Sequence, residues 1–428
     1  MNREKALEYI HGAHRPGKKA GHERFVKLLE LLGDPHRKLR YAHIAGTNGK
    51  GSTTTMVAQI MQESGCKAGR FVSPYLERFE ERISVNGEMI SERALCACVE
   101  AVQEAAKQLP ALGFTLPTEF EVVTAIGFLH FYRQGCDIVA LETGIGGLND
   151  ITNVIDTPDV AVIASISFDH TKQLGKTLAE IATQKAGIMK HGGRAVAYPD
   201  QAPEVWKTLR AYAHENSVDF RVPDLSKIKI QAESISRSAF TYGDLSLTTA
   251  LPGRHQVYNA VTAVEAARVL AERSFPVSSE TIAKGIERTS FPGRLELIAG
   301  NPRIILDGAH NEGGIEVLTG SLKRLLPADT DLTIVLGMMD DKDWQSCVPV
   351  ISAIANNLIV TRPPSPRAFD PGEAATLSLS AHTHIAHEPA DALSMARTVT
   401  TTGGMIVVCG SIYLIGEVRT ILHSPPPL

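Results

Sequence analysis

The densest chemistry in the chain lies in Gly46-Thr47-Asn48-Gly49-Lys50-Gly51-Ser52-Thr53, which comes directly after an apolar run and opens a stretch of helical period. Glycines let backbone N–H groups approach phosphate oxygens, a helix amino terminus adds a favourable dipole, a lysine supplies positive charge and a hydroxyl can reach Mg2+. Asn48, Gly49, Lys50, Gly51 and Ser52 therefore read as a phosphate cradle. The spacing departs from G-x-x-x-x-G-K-[ST], because Gly51 separates Lys50 from Ser52 and Ile44 stands where the first glycine belongs. Ser52, Ser73, Glu142 and His170 are placed at strand ends, and hydroxyl, carboxylate and imidazole ligands suit a partly hydrated Mg2+. Taken singly, each is more simply hydrogen-bonded scaffolding.

The elements that must hold these groups are set by the patterning. Short β-branched runs alternate with longer helical segments, the signature of parallel sheets covered by helices, so the class is α/β. Strands are expected at 41–45, 68–72, 137–142, 160–165 and 194–198, with helices near 52–63, 92–108, 119–133 and 178–186. Ligands of such sheets bind beyond the carboxyl ends of the strands. Alternation over 239–251 around Tyr242-Gly243-Asp244 predicts a hairpin, and helical patterning returns at 255–272. A linker is expected within 290–302, dividing a unit of residues 1–296 from a smaller doubly wound unit of residues 297–428. That second unit has strands near 304–306, 332–336, 357–360 and 405–409, and a loop over 362–372, which contains four prolines.

With 428 residues, 43% of them hydrophobic and 21% charged, the chain can fill one to three domain cores, which excludes a disordered or collagen-like protein. Forty-three basic against 47 acidic side chains leave a net charge of -4, without the excess of a dedicated nucleic-acid binder. No apolar run approaches a membrane span and the first residues are not signal-like, so a cytoplasmic setting is expected. The six cysteines include no C-x-x-C pair and read as reduced packing residues. His382-x-His384-x-x-His387 reads as a polar strand or loop, and the 11–22 run as a solvated loop.

Beyond the glycine-rich segment, ordered blocks are spread along nearly the whole chain. They include Ser73-Pro74-Tyr75-Leu76, Glu80-Glu81-Arg82-Ile83, Thr118-Glu119-Phe120-Glu121, Glu142-Thr143-Gly144-Ile145-Gly146-Gly147, Asp169-His170-Thr171 and Lys185-Ala186-Gly187-Ile188. Further along come Gly253-Arg254-His255-Gln256, Phe291-Pro292-Gly293-Arg294, Asp307-Gly308-Ala309-His310-Asn311 and Gly410-Ser411-Ile412-Tyr413-Leu414. Together with the glycine-rich segment, and in this order, they make the chain resemble the folylpolyglutamate synthase and dihydrofolate synthase family of the Mur ligase superfamily. The resemblance implies a P-loop ATPase domain with a mostly parallel sheet and a Rossmann-like carboxy-terminal domain.

It also implies roles. Ser73, Glu142 and His170 would hold magnesium at up to two sites. Lys185 matches a lysine that can be carbamylated, which turns it into a further metal ligand. Asn259, Arg294 and Asp307 match nucleotide contacts, and His310 and Ser411 match residues tied to the incoming glutamate. A helix cap is the alternative for the last two. Thr118, Phe120 and Glu121 fall in the stretch that lines the pterin side of the pocket, where Phe120 is equally readable as core. The chain departs from the family pattern at Tyr75 (usually His), Leu148 (Arg), Gln184 (Glu) and Glu312 (Pro).

Making an amide from a carboxylate requires turning its oxygen into a leaving group, which ATP does by forming an acyl phosphate. The expectation is an ATP- and Mg2+-dependent, monomeric ligase that adds L-glutamate to folates, with dihydropteroate left open as a second acceptor. Two alternatives stand beside it. One is a Mur-like amide ligase of a different acid, and the other is a P-loop NTPase switch, which leaves the second unit's motifs unexplained.

Overall fold

The computed structural model describes residues 1–13 and 22–423 of the chain; the expected loop over residues 11–22 lies mostly outside them. The first sheet is built from β1 (Tyr41–Ala45), β2 (Ala68–Phe71), β3 (Ile83–Val85), β4 (Glu88–Met89), β5 (Ile138–Glu142), β6 (Val160–Ile163), β7 (Arg194–Ala197) and β8 (Asp219–Arg221). Their order is β4-β3-β2-β5-β1-β6-β7-β8. Six of these strands run parallel, and β3 and β4 add an antiparallel edge.

The central strands β1, β5 and β6 are buried at every position because both faces are covered. Alternate residues feed opposite cores: Ala42, Ile44, Ile138, Ala140, Val160 and Val162 pack under the helices Lys50–Glu63, Arg254–Glu272 and Ser279–Arg288. On the other face Val139 and Leu141 meet the helices Glu92–Ala106 and Glu119–Gln134, and Ala161 and Ile163 meet Leu178–Ala186. Residue Ser52, expected at a strand end, is instead in the first turn of the helix Lys50–Glu63.

Next along the chain is a three-stranded antiparallel sheet, made of β9 (Ile228–Glu233), β10 (Ser238–Tyr242) and β11 (Leu245–Thr249). The expected hairpin is its β10–β11 half. The third sheet contains β12 (Glu296–Ile298), β13 (Arg303–Leu306), β14 (Leu332–Leu336), β15 (Asn357–Val360), β16 (His382–Ile385) and β17 (Met405–Cys409), ordered β12-β13-β17-β14-β15-β16. It is parallel apart from β12, which pairs antiparallel with β13.

The proline-rich loop ends two residues earlier than expected, because Pro371 opens a short helix, Pro371–Ala375, capped by Asp370. Proline suits that first helical position, where its missing N–H is not needed. His382 and His384 lie on the edge strand β16. Among the described residues no helix is long and apolar enough to cross a membrane.

The loops beyond the carboxyl ends of β1 and β6 meet the loops after β13 and β14. The junction between the two units is held at the cradle by Asn48 and Asn311. Elsewhere along it Arg419 is bonded to both Glu77 and Glu296, and Glu233 pairs with Arg254 and Arg324.

Candidate active site

The cradle forms between β1 and the helix Lys50–Glu63. Gly49 sits just before that helix at φ +82°, a conformation that favours glycine, and a Cβ there would stand 2.5 Å from Asn259 Oδ1. A Cβ at Gly51 would fall 2.7 Å from the Phe291 ring and 3.5 Å from Glu142 Oε2. The turn thus leaves open the space that backbone N–H groups need to meet an anion. The Lys50 ammonium folds over it, donating to the Thr47 carbonyl at 3.1 Å and lying 4.0 Å from Glu142 Oε1.

Glu142, the last residue of β5, is 4% exposed. Burial raises its pKa, and the Lys50 charge and a 3.2 Å bond from the Ser73 N–H oppose that rise. The Ser73 hydroxyl accepts from Arg82 at 2.8 Å. The Ser52 hydroxyl, buried in the same corner, accepts from Gln256 Nε2 at 3.3 Å. The backbone of β1, β2 and β5 thereby gathers Ser52, Ser73 and Glu142 around Lys50.

Lys185 closes the other wall: it is 3% exposed and its Nζ donates to the Gly46 carbonyl at 2.7 Å. Burial, reinforced by the Lys50 charge, pulls its pKa down to about 7. A large fraction is then the neutral amine near pH 7, the form able to act as a nucleophile toward CO2. His170 has a left-handed backbone at φ 50°, and burial lowers its pKa despite the neighbouring Asp169.

The second unit supplies the roof. Asp307 accepts from the Leu295 and Ala309 N–H groups at 2.8 and 2.9 Å. Burial raises its pKa and lowers that of Arg294, each being the other's counter-charge. The Arg294 guanidinium lies over the Phe291 ring at 5.2 Å, against Gly308. His310 hydrogen-bonds the Gly308 carbonyl through Nδ1 at 2.7 Å, and burial brings it down to about 4, so at neutral pH it is an uncharged ring. Asn259 Oδ1 is buried and has no hydrogen-bond partner among the described residues, an acceptor left open above the cradle.

These features converge on one chemistry. A glycine-lined anion cradle, carboxylate and hydroxyl oxygens beside it, and a cation-bearing roof from a second sheet form a site where a phosphoryl group could be transferred and its product consumed. Residues 44–267 match the Mur ligase middle domain, and residues 293–412 match the Mur ligase glutamate ligase domain. The chain is 34% identical to the dihydrofolate synthase/folylpolyglutamate synthase of Bacillus subtilis (strain 168), covering 97% of each. It is 35% identical to the folylpolyglutamate synthase of Lacticaseibacillus casei, covering 99% of each. The chain belongs to the folylpolyglutamate synthase and dihydrofolate synthase family of Mur ligases. A crystal structure of the Mycobacterium tuberculosis folylpolyglutamate synthase, complexed with ADP and AMPPCP, superposes with a TM-score of 0.87 at 29% identity over all of both chains.

Within this family member, several expected site residues have full structural employment. Thr118 and Glu121 form a capping box on the helix Glu119–Gln134, and Glu121 also takes two bonds from Arg24, at 3.1 and 2.7 Å. Phe120 packs against Gly144 and lies 6.4 Å from the Phe71 ring. Ser411 is 2% exposed and accepts from the Tyr413 N–H, the helix-cap arrangement weighed for it. Of the departures, Tyr75 lies under the Arg82 guanidinium at 5.1 Å, Leu148 is exposed, Gln184 accepts from Asn149, and Glu312 opens the helix Glu312–Leu325.

Four residues absent from the expected site set belong to it by position. Arg82, Asp169, Gln256 and Asn311 all stand inside the family blocks, which is the signal that could have marked them. Lys342 stands outside every block; its signal is the polar run Asp340-Asp341-Lys342-Asp343 beyond the carboxyl end of β14.

Proposed function

We propose that this protein attaches L-glutamate to folates at the expense of ATP, and to dihydropteroate as well. The observation that carries the reading is the meeting of the two units at the cradle, where Lys50, Glu142 and Lys185 from the first, with Arg294 at the junction, face Asp307 and His310 from the second. On this reading residues 1–296 bind ATP and the pterin acid, and residues 297–428 deliver the amino acid. Thr118, Phe120 and Glu121 lie toward the acid, and His310 and Ser411 toward the glutamate.

The acceptor carboxylate oxygen attacks the γ-phosphorus and ADP leaves, generating an acyl phosphate. The glutamate nitrogen then attacks the acyl carbon, the amide forms and phosphate departs with the former carboxylate oxygen, while the ammonium has lost its protons to the surroundings. The cradle N–H groups and Lys50 offset the charge on the transferring phosphoryl group, where preorganised donors contribute most. Asn259 suits the base edge, Arg294 a phosphate and Asp307 a ribose or bridging contact. Ser52, Ser73, Glu142 and His170 fit a hard, partly hydrated cation, and Lys185 would join them if carbamylated; bound Mg2+ would neutralise phosphate charge there. The chain would act as a cytoplasmic monomer, independent of nucleic acid and membrane.

The test is ADP release and product mass with Mg·ATP and L-glutamate, offering tetrahydrofolate, dihydropteroate or no acceptor. Glutamate adducts of both acceptors are expected. Turnover independent of any acceptor would favour the NTPase alternative. Silence with both would favour a different acid, with Tyr75 and Leu148 the first positions to examine.

A further inference from the structure

We propose that Lys342 is a positioning residue for ligation, its ion pair with Asp169 docking the second unit onto the phosphate cradle. Lys342 lies on the loop after β14, and its Nζ donates to Asp169 Oδ1 at 2.6 Å. Both side chains are withdrawn from water, at 13% and 9% exposure. The other oxygen of Asp169 accepts from Asn311 Nδ2 at 3.1 Å. One carboxylate of the first unit is therefore held by two donors of the second, from the loops after two different strands.

Asn311 extends the tie inward. It exchanges a reciprocal pair of amide hydrogen bonds with Asn48 of the cradle, each 3.1 Å, while its Oδ1 also caps the helix Glu312–Leu325 through the Gly314 N–H at 2.9 Å. Asp169 thus ties the second unit to the cradle both directly and through Asn311. The pair borders a cavity of 350 Å³ between the units, lined in part by Phe168, His170, Lys172 and Glu312. Docking in another geometry would leave a lysine or a carboxylate enclosed without its partner, so the pair favours one docked geometry over a range of alternatives. The ammonium of Lys342 is committed to Asp169, which makes it a positioning group and not a catalytic one.

The inference rests on the ligase reading, and the test separates the two. Lys342→Met, Lys342→Arg, Asp169→Asn and the Lys342→Met/Asp169→Asn double variant are compared with the wild-type full chain. For Lys342→Met a larger radius of gyration by small-angle scattering is expected, with an unchanged thermal midpoint and unchanged Mg·ATP affinity. Its kcat/KM for glutamate should fall on the order of 10- to 100-fold, the span of a typical inter-site coupling. Lys342→Arg should recover most of that loss, and the double variant should be no worse than the weaker single. A wild-type radius of gyration in Lys342→Met, a wild-type kcat/KM, or losses that simply multiply in the double variant would each overturn the docking role. Absence of glutamate-dependent product in the wild type counts against the ligase reading alone, because the scattering result still decides the docking.

Discussion

Lys50 and Glu142 act on the same few ångströms of space, and their environments differ in a way that sets the expected consequences of replacing them. Lys50 keeps a foothold on the Thr47 carbonyl, while Glu142 is enclosed and held by the Ser73 N–H. Lys50→Ala and Glu142→Ala should each lower acceptor-dependent ADP release by about 10²–10³-fold, the usual effect of removing one preorganised charge, with an unchanged circular dichroism spectrum. Wild-type turnover in either would remove that residue from the phosphoryl site. His43 gives a prediction of another kind. It is fully buried in β1, bonded to Thr152 Oγ1 at 2.8 Å, and burial, with the Lys190 charge, lowers its pKa to about 3. From the unfolded value of about 6.5 down to that point the unfolded chain holds the extra proton, so stability falls as the pH is lowered through this window. In His43→Gln this contribution is gone, so the stability gap between wild type and variant in urea unfolding should shift against the wild type from pH 7 to pH 4. A gap that stays constant would contradict the buried, neutral ring.

The helix Glu119–Gln134 shows how an element can absorb residues that spacing alone assigns to a ligand. Its amino end is fixed by the Thr118–Glu121 box and by Arg24, whose guanidinium meets Glu121 out of water. Glu121→Ala should cost about 3–5 kcal/mol in chemical denaturation, as expected when one partner of a buried ion pair is left alone. A loss confined to folate affinity would assign the residue to the substrate instead. At the cradle, Gly49→Ala should weaken nucleotide binding in calorimetry, because φ +82° disfavours a side chain and the new Cβ would displace the Asn259 amide. The sequence made such elements legible where both faces of a strand are buried: β1, β14, β15 and β17 fall where the apolar runs place them. It was silent on β3, β4 and β9, which are short or partly exposed, so no unbroken apolar run marks them. The P-loop and its partners were legible as blocks, whereas the bond from Lys342 to Asp169 spans 173 positions and exists only through the docking of two sheets.

At the scale of the whole molecule, the two units meet through polar ties at more than one place. Beyond the loop that carries Ser73, Arg419 bridges Glu77 and Glu296, and the helix Ile412–His423 is pressed against Leu76, with Gly416 leaving room for its carbonyl. Arg419→Ala should loosen the loop that carries Ser73, giving a less cooperative thermal transition by scanning calorimetry and a lower kcat. A single transition unchanged from wild type would show that the packing of Gly416 on Leu76 holds the loop unaided. The strand β12 has a mechanical consequence of its own. It leaves the junction already hydrogen-bonded to β13, so it travels as part of the carboxy-terminal sheet and cannot serve as slack. Bonds from the Leu295 N–H to Asp307 and from the Gly308 N–H to the Gly293 carbonyl extend that hold back to Gly293, so any swing between the units is taken up before it and Arg294 moves with the sheet. The guanidinium proposed to meet the nucleotide is therefore carried by the carboxy-terminal sheet, and turning that sheet would steer it toward or away from the cradle.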